Sequence, residues 1–288
     1  MRARLLRDST WILGVVCGAY ALVSVWSRGF GVDAHAYWLA WRGPMYTTAP
    51  GTTDAYLYSP AFAQIIWPLA QLPWGVFVSL FTIGLGALLA WLLKPLGWKW
   101  GIPLWLAGLP EIVSGNIFII MALVAVAGFS RPENWALVAL TKITPSVGPI
   151  WFLARAEWKN LTRALLSIGM FAGISVAVAP ELWREWLNFL AEHAGSSTTA
   201  IGSEFMPPSV VRLPFGVALT VWGARRNKRW CIPVAMLLCA PVLWLGSFTL
   251  LAAIPRILDI QNPGWVKPAV PRLTQDRPEE SGFPPLRD

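Results

Sequence analysis

An acidic side chain and a tyrosine lie four residues apart near the start of the chain, at Asp33 and Tyr37. On a helix this spacing places both side chains on one face, one turn apart. A carboxylate that is desolvated among aromatic rings has a raised pKa and can act as a general base. The alternative is an N-cap, because aspartate before an apolar and aromatic run is a preferred helix start. His35 diverges from Asp33 if the segment is helical, whereas an irregular loop would bring both to one cavity.

A few charged residues within the apolar parts of the chain are the other candidates for chemistry. Lys142 interrupts an apolar run, where an ionisable group either marks a functional site or snorkels to the interface. Arg212 precedes an apolar helix, so it either reaches a phosphate at the outer face or anchors the helix. Glu111 precedes a break at Gly115 and Asn116, where it either supports a substrate site or caps the next helix.

The composition indicates that membrane helices position these residues. Of 288 residues, 56% are apolar and 13% are charged, whereas an ordinary soluble domain has about 25% charged residues. The mean hydropathy is +0.53, and the 19 tryptophans suit membrane interfaces. The net charge of +8 comes from short basic clusters between apolar runs, which is typical of membrane topology and not of a nucleic-acid-binding face. We therefore predict an all-α polytopic membrane protein that binds no nucleic acid.

The basic clusters also predict the topology of about eight hydrophobic segments, some of them half-helices. Arginines 2, 4 and 7 precede the first apolar run, residues 10–26, and place the N-terminus in the cytoplasm. Residues 31–59 and 181–207 are then outside, and the cluster at 225–229 is inside. Residues 1–258 form one transmembrane domain, and the proline-rich residues 259–288 form a disordered tail.

Four predictions concern the path between these anchors. Residues 60–71 enter from outside, and the break at Leu72 and Pro73 turns the chain so that residues 74–93 return outward. Residues 101–113 and 115–129 form a broken pair directed inward. Residues 135–153 are too short to cross twice, so they form a re-entrant hairpin of two half-helices. Residues 181–193 form an amphipathic helix at the interface.

Several short motifs follow one another in a characteristic order. They are the D-x-x-x-Y element at Asp33 and Tyr37, then Gly43 and Tyr46, Tyr58-Ser59-Pro60, Leu72-Pro73-Trp74, Gly115-Asn116 and Lys142-Ile143-Thr144-Pro145. In this order and spacing the chain resembles glycosyltransferase family 87 over about residues 10–257. Those are membrane enzymes of the GT-C class, related to polyprenol-phosphate-mannose-dependent mannosyltransferases, so the resemblance implies a GT-C-like helix bundle.

The resemblance implies a polyprenyl-phosphate donor whose hexose, mannose in the first instance, is transferred with inversion. The acceptor is a hydroxyl of a lipid or glycan at the outer face of the plasma membrane. Such a reaction needs a base on the acceptor and cations against the leaving phosphate. Asp33 matches the family's first-loop aspartate and is predicted as the base. The residues predicted to bind the donor phosphate or substrate are Lys142, Arg212, Asn116, Tyr37, Tyr58 and His35.

The sequence offers no evident metal or nucleotide site. It has no glycine-rich nucleotide loop and no D-x-D pair, which is consistent with a lipid-linked donor. Its cysteines, Cys17, Cys231 and Cys239, lie within apolar runs without paired spacing, so neither a disulfide framework nor a zinc site is predicted. We predict no cofactor, and a requirement for a divalent metal stays open.

The chain departs from the family pattern in its last apolar run. Family members commonly carry a His-Tyr or similar polar pair shortly after a tryptophan, and this chain has Gly246 and Ser247 there instead. The tail after residue 258 also stands where further helices are expected.

Two other functions stay open: a transporter of lipid-linked sugars, favoured by broken helices and a buried lysine, and a non-catalytic scaffold with interfacial aromatic anchors. The absence of an inverted repeat argues against the transporter.

Overall fold

The computed structural model describes residues 2–193 and 207–263, and these residues fold into helices joined by short loops. The α-helices are α1 (Arg2–Arg28), α2 (Val32–Leu39), α3 (Pro60–Ala70), α4 (Trp74–Leu93), α5 (Trp98–Ala107), α6 (Leu109–Ser114), α7 (Phe118–Ala127), α8 (Trp135–Thr141), α9 (Gly148–Ala154), α10 (Trp158–Val178), α11 (Pro180–Glu192), α12 (Ser209–Arg225), α13 (Cys231–Cys239) and α14 (Ala253–Gln261). Short 3-10 helices lie at Lys94–Leu96, Pro132–Asn134 and Leu245–Ala252. No strand occurs within the described ranges, which confirms the all-α fold.

Three helices in the described part of the chain are long and apolar enough to cross a membrane: Arg4–Arg28, Trp74–Leu96 and Trp158–Val178. At 1.5 Å per residue, each exceeds the hydrocarbon core of about 30 Å. Helical structure is what an apolar solvent demands, because every backbone polar group must be paired within the segment. Their outer surfaces carry large exposed apolar side chains such as Leu22, Ile83 and Leu166, as lipid-facing helices do.

The 225–229 cluster, predicted to lie inside, meets a second basic segment, that of Arg155, at one end of the bundle. Arg155 donates to the carbonyl of Ala224 at 2.8 Å, and the Arg229 guanidinium lies 4.9 Å from the Phe129 ring. We call this the basic end. The opposite end, where α1 finishes and α2 begins, is called the site end.

The direction of α4 differs from the prediction. Trp74, at the start of α4, packs beside Gly31, and the centroids of the Trp74 and Trp38 rings lie 5.6 Å apart. The α4 helix therefore begins at the site end. Trp91, near its other end, accepts a hydrogen bond from Arg256. The prediction that residues 60–71 cross inward and 74–93 return outward is therefore wrong: α3 stays at the site end and α4 runs antiparallel to α1. The reason is length, since the 11 residues of α3 span only about 16 Å.

The α5 and α6 helices run parallel to α1 toward the site end. Small residues allow this close contact, because a Cβ atom at Gly14 would overlap the carbonyl of Pro103. At the far end of the pair, the Gly31 amide donates to the Val113 carbonyl at 2.7 Å. The α7 helix then returns to the basic end. The prediction that both halves of the broken pair are directed inward is therefore wrong. The α5 and α6 helices run toward the site end, and α7 runs back to the basic end.

The other two path predictions agree with the structure. Residues 135–153 form two short helices, α8 and α9, which are separated at Lys142. The α11 helix is amphipathic, and its Trp186 indole donates to the Leu57 carbonyl at 3.4 Å, which fixes it against the first outer segment. At the other end of the chain α14 continues to Gln261, three residues past the predicted domain boundary. Residues 194–206 and the tail from residue 264 onward lie outside the described residues.

Candidate active site

The α2 helix positions Asp33 without using it as a cap. The N-cap residue is Gly31, whose φ of 74° lies in the left-handed region that favours glycine. The Asp33 carboxylate instead accepts a hydrogen bond from the Asn116 side-chain amide at 3.2 Å. Of the two interpretations of Asp33, the structure therefore excludes the N-cap.

Asn116 reaches Asp33 because the chain breaks between α6 and α7. Gly115 ends α6 with a φ of 73°, and its missing side chain lets this turn approach Ala34 of α2. The Asn116 side-chain oxygen accepts from the Ile117 amide at 2.7 Å and from the Lys142 ammonium at 3.4 Å. Asn116 thus bridges a carboxylate and a cation that are 109 positions apart in the sequence.

Lys142 is directed into the protein at the turn between α8 and α9. Its ammonium lies 3.8 Å from the centroid of the Phe118 ring and 5.8 Å from that of Tyr58. Attraction between a cation and aromatic faces strengthens when the cation is desolvated. These contacts favour the functional interpretation of Lys142 over snorkelling to the lipid interface.

Two tyrosine hydroxyls lie beside this charge pair. The hydroxyls of Tyr37 and Tyr58 are 3.1 Å apart, and their rings meet edge to face at 5.3 Å. Tyr46 donates to the carbonyl of Tyr58 at 2.9 Å, which fixes the segment that leads into α3. The motifs at 33–37, 58–60, 115–116 and 142–145 therefore converge on one site.

A comparison with protein families identifies the class of protein to which this chain belongs. The model of glycosyltransferase family 87 matches residues 56–262, which is more than half of the chain. The chain belongs to glycosyltransferase family 87. Searches of curated proteins and of solved structures found no significant match. Together with its apolar helices, the family makes this chain a membrane glycosyltransferase.

The matched range of this family 87 glycosyltransferase contains only part of the site. Tyr58, Asn116, Lys142 and Arg212 lie within it, whereas the α2 residues precede its start at Tyr56. The roles of Asp33, Tyr37 and His35 therefore rest on the geometry of the site and stay proposals. The residue roles within the range stay proposals too, because the family identifies an activity and not its catalytic groups.

Glu111, for which the sequence left both a substrate site and a helix cap open, is a second carboxylate at this site. It is fully buried, and its Oε1 atom accepts from the Phe118 amide at 2.8 Å, so it caps α7. Its Oε2 atom has no hydrogen-bond partner. Lys142 is the cation that faces both Glu111 and Asp33. The signal available in the sequence was a lone acidic residue inside an apolar segment.

The departure from the family pattern at Gly246 has a steric explanation. A Cβ atom at Gly246 would overlap both the Oε2 atom of Glu111 and the ring of Trp244. The indole and the carboxylate thus fill the volume that a larger side chain would need. The indole Nε1 atom of Trp244 is buried there without a partner.

Burial raises the pKa of the Asp33 carboxyl above its usual range. The positive charge of Lys142 has the opposite effect, as do hydrogen bonds from Ser114 and Asn116. A carboxylate with a raised pKa is a stronger base once it is deprotonated. The site therefore combines a proton acceptor with a nearby cation.

His35 and Arg212 make their contacts elsewhere. The His35 ring lies 2.7 Å from Asp54 through its Nδ1 atom, so it diverges from Asp33 as helical spacing predicts. Arg212 is 7% exposed and donates to the carbonyls of Leu238 and Pro207, both at 2.8 Å. The structure does not bring either side chain into the Asp33, Asn116 and Lys142 cluster.

Within residues 2–193 and 207–263, no three His, Cys, Asp or Glu side chains lie close enough to hold a metal ion. The prediction that the enzyme needs no cofactor stays a prediction.

Proposed function

We propose that this membrane glycosyltransferase transfers a hexose, mannose in the first instance, from a polyprenyl-phosphate donor to a lipid or glycan hydroxyl. The transfer takes place at the extracytoplasmic face of the plasma membrane. One observation carries the proposal: Asp33, Asn116 and Lys142 form a connected cluster at the end of the bundle opposite the basic clusters. Positive clusters favour the cytoplasmic side, which leaves the site end outside.

The roles follow from how charge moves in the reaction. Asp33 removes the proton from the acceptor hydroxyl, whose oxygen forms the new bond to the anomeric carbon. The bond from that carbon to the donor phosphate oxygen breaks, and its electron pair stays on the phosphate. Lys142 stabilises the negative charge that grows there, which is electrostatic stabilisation of the transition state. The hydroxyl of the half-buried Tyr58 is placed to bind the sugar, and the buried Tyr37 hydroxyl, 3.1 Å away, orients it.

The position of Glu111 supports inversion over retention. A retaining mechanism needs a second carboxylate about 5 Å from the first, which attacks the sugar as a nucleophile. Glu111 is the candidate for that role, but it is fully buried and its Oε1 atom is occupied by the Phe118 amide. A carboxylate held in this way supports the site from behind and does not reach the anomeric carbon.

The donor test uses the purified full chain in detergent, without a membrane gradient. Polyprenyl-phosphate mannose and polyprenyl-phosphate glucose are supplied separately, and loss of each donor is followed by mass spectrometry with membrane lipids as acceptors. Consumption of a donor supports a transferase and excludes a transporter, which would leave the donor intact. If neither donor is consumed, the lipid-linked donor class is wrong.

The acceptor test compares membrane glycolipids and glycans of a deletion strain with those of its parent. A precursor that lacks one hexose identifies the acceptor and the sugar together. Restoration by the wild-type gene and not by an Asp33→Asn variant would link the missing hexose to this site. An unchanged glycolipid and glycan profile in the deletion strain would contradict the proposed acceptor class.

A further inference from the structure

A large groove lies at the basic end, between the end of α4 and α5. Its volume is about 750 Å³, within the range of small-molecule and lipid sites. Three indoles and one lysine dominate its wall: Trp91, Trp98, Trp105 and Lys94. We call it the α4–α5 groove. The 20 residues of α4, about 30 Å long, separate this groove from Trp74 at the site end, so it is not part of the candidate active site.

The wall of the groove is exposed to the membrane. Trp91 is on a membrane-crossing helix and is 42% exposed, and Trp98 is 67% exposed. Exposed indoles are characteristic of the level of lipid headgroups, where the ring lies among the acyl chains and its polar edge meets water. The groove therefore lies at the depth where a lipid changes from chain to headgroup.

The rim of the groove is positively charged. Lys94 lines it, and the Lys99 ammonium lies 5.6 Å from the centroid of the Trp98 ring. The Arg256 guanidinium lies 4.3 Å from the centroid of the Trp91 ring. Asp259 lies 3.8 Å from Arg256, whose Nε atom is buried without a hydrogen-bond partner. Asp259 offsets the charge of Arg256, so Lys94 and Lys99 leave this rim complementary to an anion.

We propose that the α4–α5 groove binds one anionic glycerophospholipid from the leaflet at the basic end. An acyl chain packs against the three indoles, and the phosphate lies at the rim beside Lys94. Charge complementarity selects an anionic lipid over a zwitterionic one, because each basic side chain near an anionic headgroup contributes about as much as a fivefold change in affinity. This inference is independent of the proposed donor and acceptor.

The test is native mass spectrometry of the full chain in detergent, with phosphatidylglycerol or phosphatidylcholine of the same acyl chains added. We expect the first lipid bound to wild-type protein to be phosphatidylglycerol, with at least fivefold preference. Lys94→Gln should reduce that preference about fivefold. Lys159→Gln, which removes the same charge from an exposed position of α10 at the basic end, is the matched control and should leave it unchanged.

A second variant tests the groove itself and not only its charge. Gly101 lines the groove, and a Cβ atom there would meet only ordinary contact, 3.7 Å from the Leu93 carbonyl. Gly101→Leu should therefore fold normally, fill the groove and remove the bound lipid. Equal binding of both lipids by wild-type protein, or equal loss in Lys94→Gln and Lys159→Gln, would overturn the proposal. Displacement of phosphatidylglycerol by an equimolar polyprenyl phosphate would overturn the choice of lipid.

Discussion

Replacement of Asp33 by asparagine removes the proton acceptor and its negative charge while it keeps the shape of the side chain. The carboxylate accepts from the Asn116 amide at 3.2 Å, and the side-chain oxygen of an asparagine accepts the same hydrogen bond. Its shape is nearly identical, so the packing of α2 is preserved. Asp33→Asn removes the ability to take a proton, together with the negative charge that faces Lys142, and general base catalysis contributes about 10²- to 10⁴-fold. We therefore expect turnover to fall by that factor, which corresponds to about 3 to 5 kcal/mol in the barrier.

The assay measures initial rates of transfer from polyprenyl-phosphate mannose, with donor binding measured separately on the same preparation. Donor affinity should change little, because Lys142 keeps its contacts with Asn116 and with the Phe118 ring. Asp8→Asn, the same substitution at an exposed position of α1, is the matched control and should retain full activity. Wild-type turnover in Asp33→Asn would refute the assignment of Asp33 as the base.

Three further predictions concern the surroundings of Asp33. Lys142→Met should weaken donor binding and move the acidic limb of the pH–rate profile to higher pH, because the cation that lowers the Asp33 pKa is gone; an unmoved limb would contradict their pairing. Glu111→Leu should lower the free energy of unfolding by about 1 to 3 kcal/mol relative to Glu111→Gln, which keeps an acceptor for the first amide of α7; equal melting temperatures would exclude the cap. Gly31→Ala should destabilise the protein by at least about 1 kcal/mol in thermal unfolding, because the φ of Gly31 is 74° and a Cβ atom there would also overlap the side chains of Val78 and Trp74. Gly75→Ala, in open space, should not; similar losses in both variants would argue against both causes.

Local patterns predicted those parts of the fold that depend on nearby residues. The charge at Lys142 and the nearby proline predict the break between α8 and α9, and the amphipathic character of residues 181–193 predicts α11. The direction of α4 could not be obtained in this way. Hydropathy gives the apolar length of a segment, but whether a short helix such as α3 crosses or lies at one end depends on its packing against α2. Because α3 was predicted to cross the membrane, the predicted direction of α4 was the reverse of the observed one.

The site residues show the same distinction. Some contacts could be predicted from the local sequence pattern, and others only from the tertiary structure. The spacing of Asp33 and Tyr37 predicts one helical face, and their helix is α2. Arg212 has the residue type and position of a phosphate ligand, yet the carbonyls at the end of α13 bind its guanidinium. Those carbonyls are more than twenty residues away, so no local pattern identifies them as the partners. Glu111 similarly requires the tertiary structure, because its neighbour Gly246 is 135 positions later.

The orientation of Asn116 decides how the two carboxylates divide their roles. Its side-chain oxygen accepts from the Ile117 amide at 2.7 Å, so its NH₂ group has to face Asp33 and its oxygen has to face Lys142. Glu111 is fixed by the amide of Phe118 and has no exposed surface, whereas Asp33 is only half-buried. An acceptor hydroxyl can therefore approach Asp33 and not Glu111. The buried carboxylate faces Lys142 from within the protein, and the half-buried Asp33 is the one that we propose as the proton acceptor.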